Sequence, residues 1–133
     1  MKNKTALITG ATSGIGWATA QLFAEKGFQL ILCGRRSERL KKIASELQQL
    51  TSVYTLEFDV RNNAEVVKAV GSLPKEFSDI DILINNAGNA HGLDPIQDGS
   101  LDDWDAMMDI NVKGLLYVTK AILPIMLLSL IHI

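Results

Sequence analysis

Thr9-Gly10-Ala11-Thr12-Ser13-Gly14-Ile15-Gly16 stands directly behind the apolar run Thr5-Ala6-Leu7-Ile8 and ahead of a helical stretch that stops at Lys26-Gly27. Glycines at 10, 14 and 16 give the spacing G-x-x-x-G-x-G. Backbone without Cβ turns tightly and approaches a pyrophosphate closely. The helix that follows offers free N–H donors and the favourable end of its dipole. Thr12 and Ser13 add hydroxyls at the same turn. A glycine-rich strand-to-helix turn also occurs as an ordinary connection. This one lies near the N-terminus, and polar residues recur at the ends of the later strands.

Outward from that turn, short apolar runs alternate with helical stretches. Gln29 to Cys33 reads as a second strand, Val53 to Phe58 as a third and Asp81 to Asn85 as a fourth. Ser37 is placed to cap a helix running to about Gln49, with Leu40, Ile43, Ala44 and Leu47 on one face. Asn62 or Asn63 starts another helix that ends near Gly71 or Ser72. Gly88 to Gly99 is rich in Gly, Asn and Asp and reads as a loop. Ser100 with Asp103 resembles a capping box, and a long apolar helix is predicted from about Asn111 past Leu123. Strands alternating with helices imply a parallel sheet with right-handed crossovers. The fold class is therefore α/β, a Rossmann-like doubly wound parallel sheet that stops after the fourth strand and the long helix. Residues 1–127 form the N-terminal part of a single nucleotide-binding domain.

The end of the second strand selects the cofactor's 2′ position. An acidic residue there would hold a ribose hydroxyl, but Cys33-Gly34-Arg35-Arg36 brings no acid before Glu38. A guanidinium is planar, permanently charged and able to donate two bonds to a 2′-phosphate. Arg35 and Arg36 thus point to NADP ahead of NAD, although both also suit the start of the next helix. Arg39 reads as a surface residue.

Composition bounds the rest. The 133 residues carry a formal net charge of −2, which gives no basic footprint for nucleic acid. The single cysteine, Cys33, excludes an intramolecular disulfide or a cysteine zinc cluster, points to a reducing compartment, and reads as a small buried hydrophobe. No metal site is expected. Thr9-Gly10 cuts the first apolar run too short for a signal peptide, so a cytoplasmic location is expected. Ala121 to Ile133 is almost wholly apolar, but its length suits buried core better than a membrane span. Trp17 and Trp104 read as packing residues, and His91 as a surface histidine in a loop.

At this point the chain resembles the short-chain dehydrogenase/reductase family over residues 5 to about 127. Thr9 to Gly16 matches the family's cofactor loop, Asp59-Val60 its adenine-contacting pair, Asn85-Asn86-Ala87-Gly88 its motif after strand four, and Asn111 the Asn of its catalytic set. The resemblance implies a cofactor site made of Gly10, Thr12, Ser13, Gly14, Ile15, Gly16, Arg35, Arg36, Asp59, Val60, Asn86, Ala87 and Gly88. It implies that Asn111 holds a water in a proton relay; the residue also suits a helix cap, and the two roles are compatible. A closer similarity, to bacterial NADP-dependent 3-hydroxy acid dehydrogenases akin to serine and allo-threonine dehydrogenases, rests on Gly34 to Leu40, Asp59 to Asn62, Ser72-Leu73-Pro74, Asp103-Trp104 and Asn111 to Leu115. It implies a small-molecule hydroxy/oxo substrate and a homo-oligomeric parent.

The family's proton transfer needs a Tyr and a Lys in the spacing Y-x-x-x-K and a Ser upstream. The only tyrosines are Tyr54 and Tyr117; Tyr117 and Lys120 stand as Y-x-x-K inside the long helix. The 133 residues therefore carry no assigned catalytic Tyr, Lys or Ser, and no turnover is expected of them alone. Leu128-Ser129-Leu130-Ile131-His132-Ile133 does not continue the family pattern. Its codons can be written CTG TCT CTT ATA CAC ATC, a string that reads as a sequencing-library transposon end. We expect residues 128–133 to be non-native, joined at about residue 127. The leading expectation is an NADP(H)-dependent oxidoreductase for the parent gene. A non-catalytic nucleotide-binding module and a membrane-anchored fragment are the alternatives.

Overall fold

The computed structural model describes residues 3–131, with side chains through residue 128. The reading of residues 128–133 as a foreign tail falls largely outside the described side chains.

Four strands form one parallel sheet: β1 (Thr5–Thr9), β2 (Gln29–Gly34), β3 (Val53–Glu57) and β4 (Ile82–Ile84), in the spatial order β3-β2-β1-β4. Each of the five β1 residues is buried, as expected of a central parallel strand covered on both faces. Strand alternation splits the apolar residues into two layers. Ala6, Ile8, Leu30 and Leu32 face helices α1 (Gly14–Glu25) and α2 (Ser37–Leu47), meeting Ala20, Ala24, Leu40 and Ile43. Leu7, Ile31 and Leu56 face the other way, onto Val66 of α3 (Asn63–Gly71) and Val118 and Ile122 of α5 (Leu115–Ile131). The expected doubly wound architecture is present.

The chain proceeds outward from β1 to β3 and then returns to place β4 on the other side of β1. That reversal opens a crevice at the carboxyl ends of β1 and β4, where open α/β sheets bind ligands. At the opposite end, Asp81 closes the same pair: its carboxylate accepts from Thr5 N–H at 2.9 Å, and its own N–H donates to Thr5 O at 2.9 Å.

Several local expectations need correction. Ser37 is the first residue of α2, not its cap; Arg36 takes that place in extended backbone with no side-chain cap bond. Asn62 caps α3, its Oδ1 accepting from Glu65 N–H at 3.2 Å. Ser100 caps α4 (Leu101–Met108) one-sidedly, accepting from Asp103 N–H at 3.4 Å. Short 3₁₀ turns occupy Lys75–Phe77 and Ile96–Asp98, the latter inside the expected loop.

The larger correction concerns Asn111. No helix begins there. α4 continues without a break through a π-helical segment, Asp109–Gly114, into α5, and Asn111 sits inside the wide turn. A cap role is excluded, because capping residues flank a helix and are not inside it. The span Leu101–Leu128 is long and apolar enough to cross a membrane by length and composition. Its Ile110, Val118 and Ile122 are nevertheless packed into the core beside the sheet. Its outer face exposes Leu101, Met108, Leu116, Leu123 and Leu127.

Candidate functional site

The crevice at the strand ends is a cleft of about 420 Å³. Its floor is the turn after β1. Gly10 and Gly14 have φ of +61° and +56°, backbone that residues with a Cβ rarely adopt. A Cβ on Gly16 would overlap Gly10 O and Asn86 Nδ2, so helix α1 can lie this close to the turn only with glycine there. Ser13 is the N-cap of α1 but its side chain makes no cap bond, and the first turn holds no acid. The start of α1 therefore lies at the cleft with first-turn N–H groups that no side chain caps. Thr12, Ser13 and Ile15 line it. Ile15 is 79% exposed, a large apolar side chain held at the mouth.

A hydrogen-bond clamp joins this floor to the segment after β4. Thr9 Oγ1, buried, accepts from Asn86 N–H at 3.0 Å and from Ala87 N–H at 2.9 Å. Asn86 Nδ2 donates to Gly10 O at 3.0 Å. The Asn86 side chain thus holds the glycine turn in place, and Asn86, Ala87 and Gly88 form a cleft wall. The sequence reading placed Thr9 at the strand end and at the head of the glycine loop, but not as the acceptor of this clamp. The signal available was a hydroxyl at the buried end of an apolar strand, where a partner is obligatory. Thr9→Val keeps the shape but removes the acceptor. Asn86 N–H keeps Ile84 O at 3.1 Å, whereas Ala87 N–H is left with no partner among the described residues. We expect a loss of about 2 kcal/mol in denaturant unfolding of the complete protein, with Thr9→Ser retaining most of the stability.

The second wall carries charge. Arg35 and Arg36 line the cleft beyond Gly34, and neither forms an ion pair among the described residues. Asp59 and Val60 lie opposite, after β3. Arg61, absent from the expected set, takes both Asp59 oxygens: its Nε lies 3.1 and 3.0 Å from Oδ1 and Oδ2, and its terminal NH2 nitrogen 2.6 Å from Oδ2. These bonds hold the Asp59 carboxyl below the usual carboxylate range, partial burial opposes them, and the positive charge of Arg35 adds to the lowering. Arg35 is thus close enough for its charge to be felt across the cleft.

Asn111 reaches the third wall. Its Oδ1 accepts from Asn89 N–H at 2.8 Å and its Nδ2 donates to Asn89 O at 2.8 Å, so one side chain grips one peptide unit at both ends. Asn89, Ile110 and Phe58 line the cleft and were not anticipated. Asn85 points away, donating from Nδ2 to Thr119 Oγ1 at 2.9 Å; its buried Oδ1 has no partner among the described residues. His91 departs from the surface reading, since its Nε2 is shut off from solvent and unpartnered among the described residues. Cys33 is buried, and burial pushes its thiol far up, which leaves it inert. Trp17 packs against the α1 and α2 layer, and Tyr117 against the opposite one. Trp104 is 38% exposed and covers Gly99.

A model of the short chain dehydrogenase family matches residues 4–129. The chain is 48% identical over 118 residues to the NADP-dependent 3-hydroxy acid dehydrogenase YdfG of Salmonella typhi, covering 89% of this chain and 47% of that one. It is 50% identical over 118 residues to sulfoacetaldehyde reductase 2 of Chromohalobacter salexigens, with the same coverage of each. Among solved structures, the closed form of serine dehydrogenase complexed with NADP+ superposes with a TM-score of 0.84 at 44% identity, over 92% of this chain and 48% of that chain. The chain spans about half the length of the curated relatives it matches.

Proposed function

We propose, from the premise that the chain belongs to the short chain dehydrogenase family, that its cleft holds NADP(H) and forms the cofactor half of a cytoplasmic oxidoreductase acting on a small hydroxy/oxo compound such as a 3-hydroxy acid. One observation carries the reading. A helix start without a side-chain cap, a glycine turn whose Gly16 has no room for a Cβ, and two arginines without an ion pair among the described residues converge on one cleft at the switch point of the sheet.

The residues fit a phosphorylated dinucleotide in four places. The α1 N–H groups and the Thr12 and Ser13 hydroxyls would take the pyrophosphate. Arg35 and Arg36 would take the 2′-phosphate, and Val60, beside the neutralised Asp59–Arg61 pair, would offer an apolar wall to the adenine. Asn86, Ala87 and Gly88 would line the nicotinamide ribose. When bound, the group supplies hydride chemistry at its nicotinamide ring. Asn111 keeps the Asn89 peptide fixed beside that end, and its relay role rests on this position. The tyrosine, lysine and serine for proton transfer are not among the 133 residues, so turnover is assigned to the longer protein and not to this chain by itself.

The activities for which these relatives are named, on 3-hydroxy acids and on sulfoacetaldehyde, share a small polar carbonyl or carbinol compound that bears an anionic group. That shared chemistry is the proposed substrate class. Calorimetric titration of the complete protein with NADPH and NADH tests the reading. Saturable binding with NADPH favoured by about tenfold or more is the expected result, since one charge-assisted pair contributes about 1.5–3 kcal/mol. Equal affinities would remove the arginines from the site, and no binding of either would remove the proposal.

A further inference from the structure

Gly114 lies in the π-helical segment, in no cleft, and no role attaches to it in the reading above. A Cβ built there would stand 2.6 Å from Val60 Cγ2, 3.0 Å from Val60 Cβ and 3.3 Å from Asp109 O. The wide turn therefore rests directly on Val60, a wall of the cleft. Three residues back, Asn111 holds Asn89, another wall. Ile110, between them and Met108, is buried and lines the cleft as well.

The spacing explains why the turn is wide. The inward positions Ile110, Gly114, Val118 and Ile122 recur every four residues. On a regular helix, each four-residue step drifts by about 40° around the axis. A π turn inserts an extra residue into the helical ladder and takes up such drift locally. It lets Ile110 face the cleft while Val118 and Ile122 still face the sheet, and it turns Asn111 toward the Asn89 peptide. The turn can be seated only as deep as the residue at 114 allows.

We propose that Gly114 is a positioning residue: its missing side chain seats the π turn against Val60 and so sets the reach of Asn111 to the loop beside the cleft. The link joins the wall after β3 to the wall after β4 through one helical turn. A larger residue at 114 pushes the turn off Val60, and Asn111 withdraws from both ends of the Asn89 peptide.

Amide hydrogen exchange on the complete protein without nucleotide tests this, so the outcome does not depend on the cofactor assignment. Gly114→Ala is expected to raise exchange in the segment 88–92 about tenfold while peptides from β1 and β2 stay as they are. Asn111→Ala should give the same local pattern, because it removes the grip itself. The double variant Gly114→Ala/Val60→Ala takes away the atom in the way and should bring segment 88–92 back toward the native rate. A rise spread over all peptides would mark Gly114 as a packing residue only and overturn the proposal. So would an unchanged segment 88–92 in Gly114→Ala, or a double variant as loose as the single one.

Discussion

Gly16→Ala is expected to lower nucleotide affinity about a hundredfold and the melting temperature of the complete protein by about 10 °C. The added methyl overlaps a main-chain carbonyl, Gly10 O, and the amide of Asn86. Neither is the free end of a flexible side chain. Asn86 Nδ2 is held by its bond to Gly10 O, and the Asn86 backbone is held by Thr9. Relief therefore requires moving the start of α1 away from the turn. Forced overpacking costs typically 1–3 kcal/mol, and the lost Asn86–Gly10 bond adds about 1 more. Displacing the helix N-terminus also moves the donors proposed to take the pyrophosphate. Gly14→Ala supplies the contrast. A Cβ there meets nothing within 4 Å, and only the positive φ is strained, a cost of about 1–2 kcal/mol. Thermal unfolding and calorimetric titration of the two variants should rank Gly16→Ala as the more damaging in both. The opposite ranking would show that conformation, and not the close approach, makes this turn.

Arg35→Asp should weaken NADPH binding about a hundredfold and change NADH affinity by less than about threefold. The substitution removes a charge-assisted donor worth about 1.5–3 kcal/mol and sets a carboxylate where the 2′-phosphate belongs. NADH has no group to lose there. The variant has a second readout independent of nucleotide. Arg35 contributes to holding the Asp59 carboxyl low, so the replacement should move the Asp59 titration upward, toward its ordinary value. The main cause of the lowering, Arg61, stays in place, so the shift is partial. The direction fixes the pH window: a carboxyl lowered by folding stabilises the native state above its unfolded value, and that contribution fades as pH falls through the folded one. Carboxyl carbon NMR of Asp59 follows the titration. An equal loss for both nucleotides would assign Arg35 to general attraction and not to selection.

Much of this molecule is legible in the chain. The strands β1 and β2 carry continuous apolar runs, Ala6-Leu7-Ile8 and Leu30-Ile31-Leu32-Cys33, and parallel strands buried on both faces look like that. The glycine turn declares itself by spacing, and its surroundings by their place at strand ends. What escapes reading is what depends on two distant segments meeting. Thr9 is an ordinary strand residue until Asn86 and Ala87 arrive beside it. Arg61 gives no hint that it will occupy the whole carboxylate of Asp59 two residues away. Asn111 looks like a helix start, because an Asn before an apolar helical run usually is one. It is instead inside a turn whose width comes from packing Gly114 on Val60, a contact between residues 54 positions apart.

The central place of β1 has a consequence for how the molecule comes into being. The strand leaves the ribosome well before its neighbour on one side, β4, and before the two amides that satisfy Thr9, which come from residues 82–87. At bacterial and eukaryotic elongation rates, the nascent chain waits roughly 4–15 s between the two. Throughout that interval the most buried strand has one open flank and an unanswered hydroxyl, and the glycine turn behind it lacks the Asn86 side chain that holds it. Any factor that shields the nascent chain through that interval has to cover β1 and the turn behind it, which is the floor of the cleft.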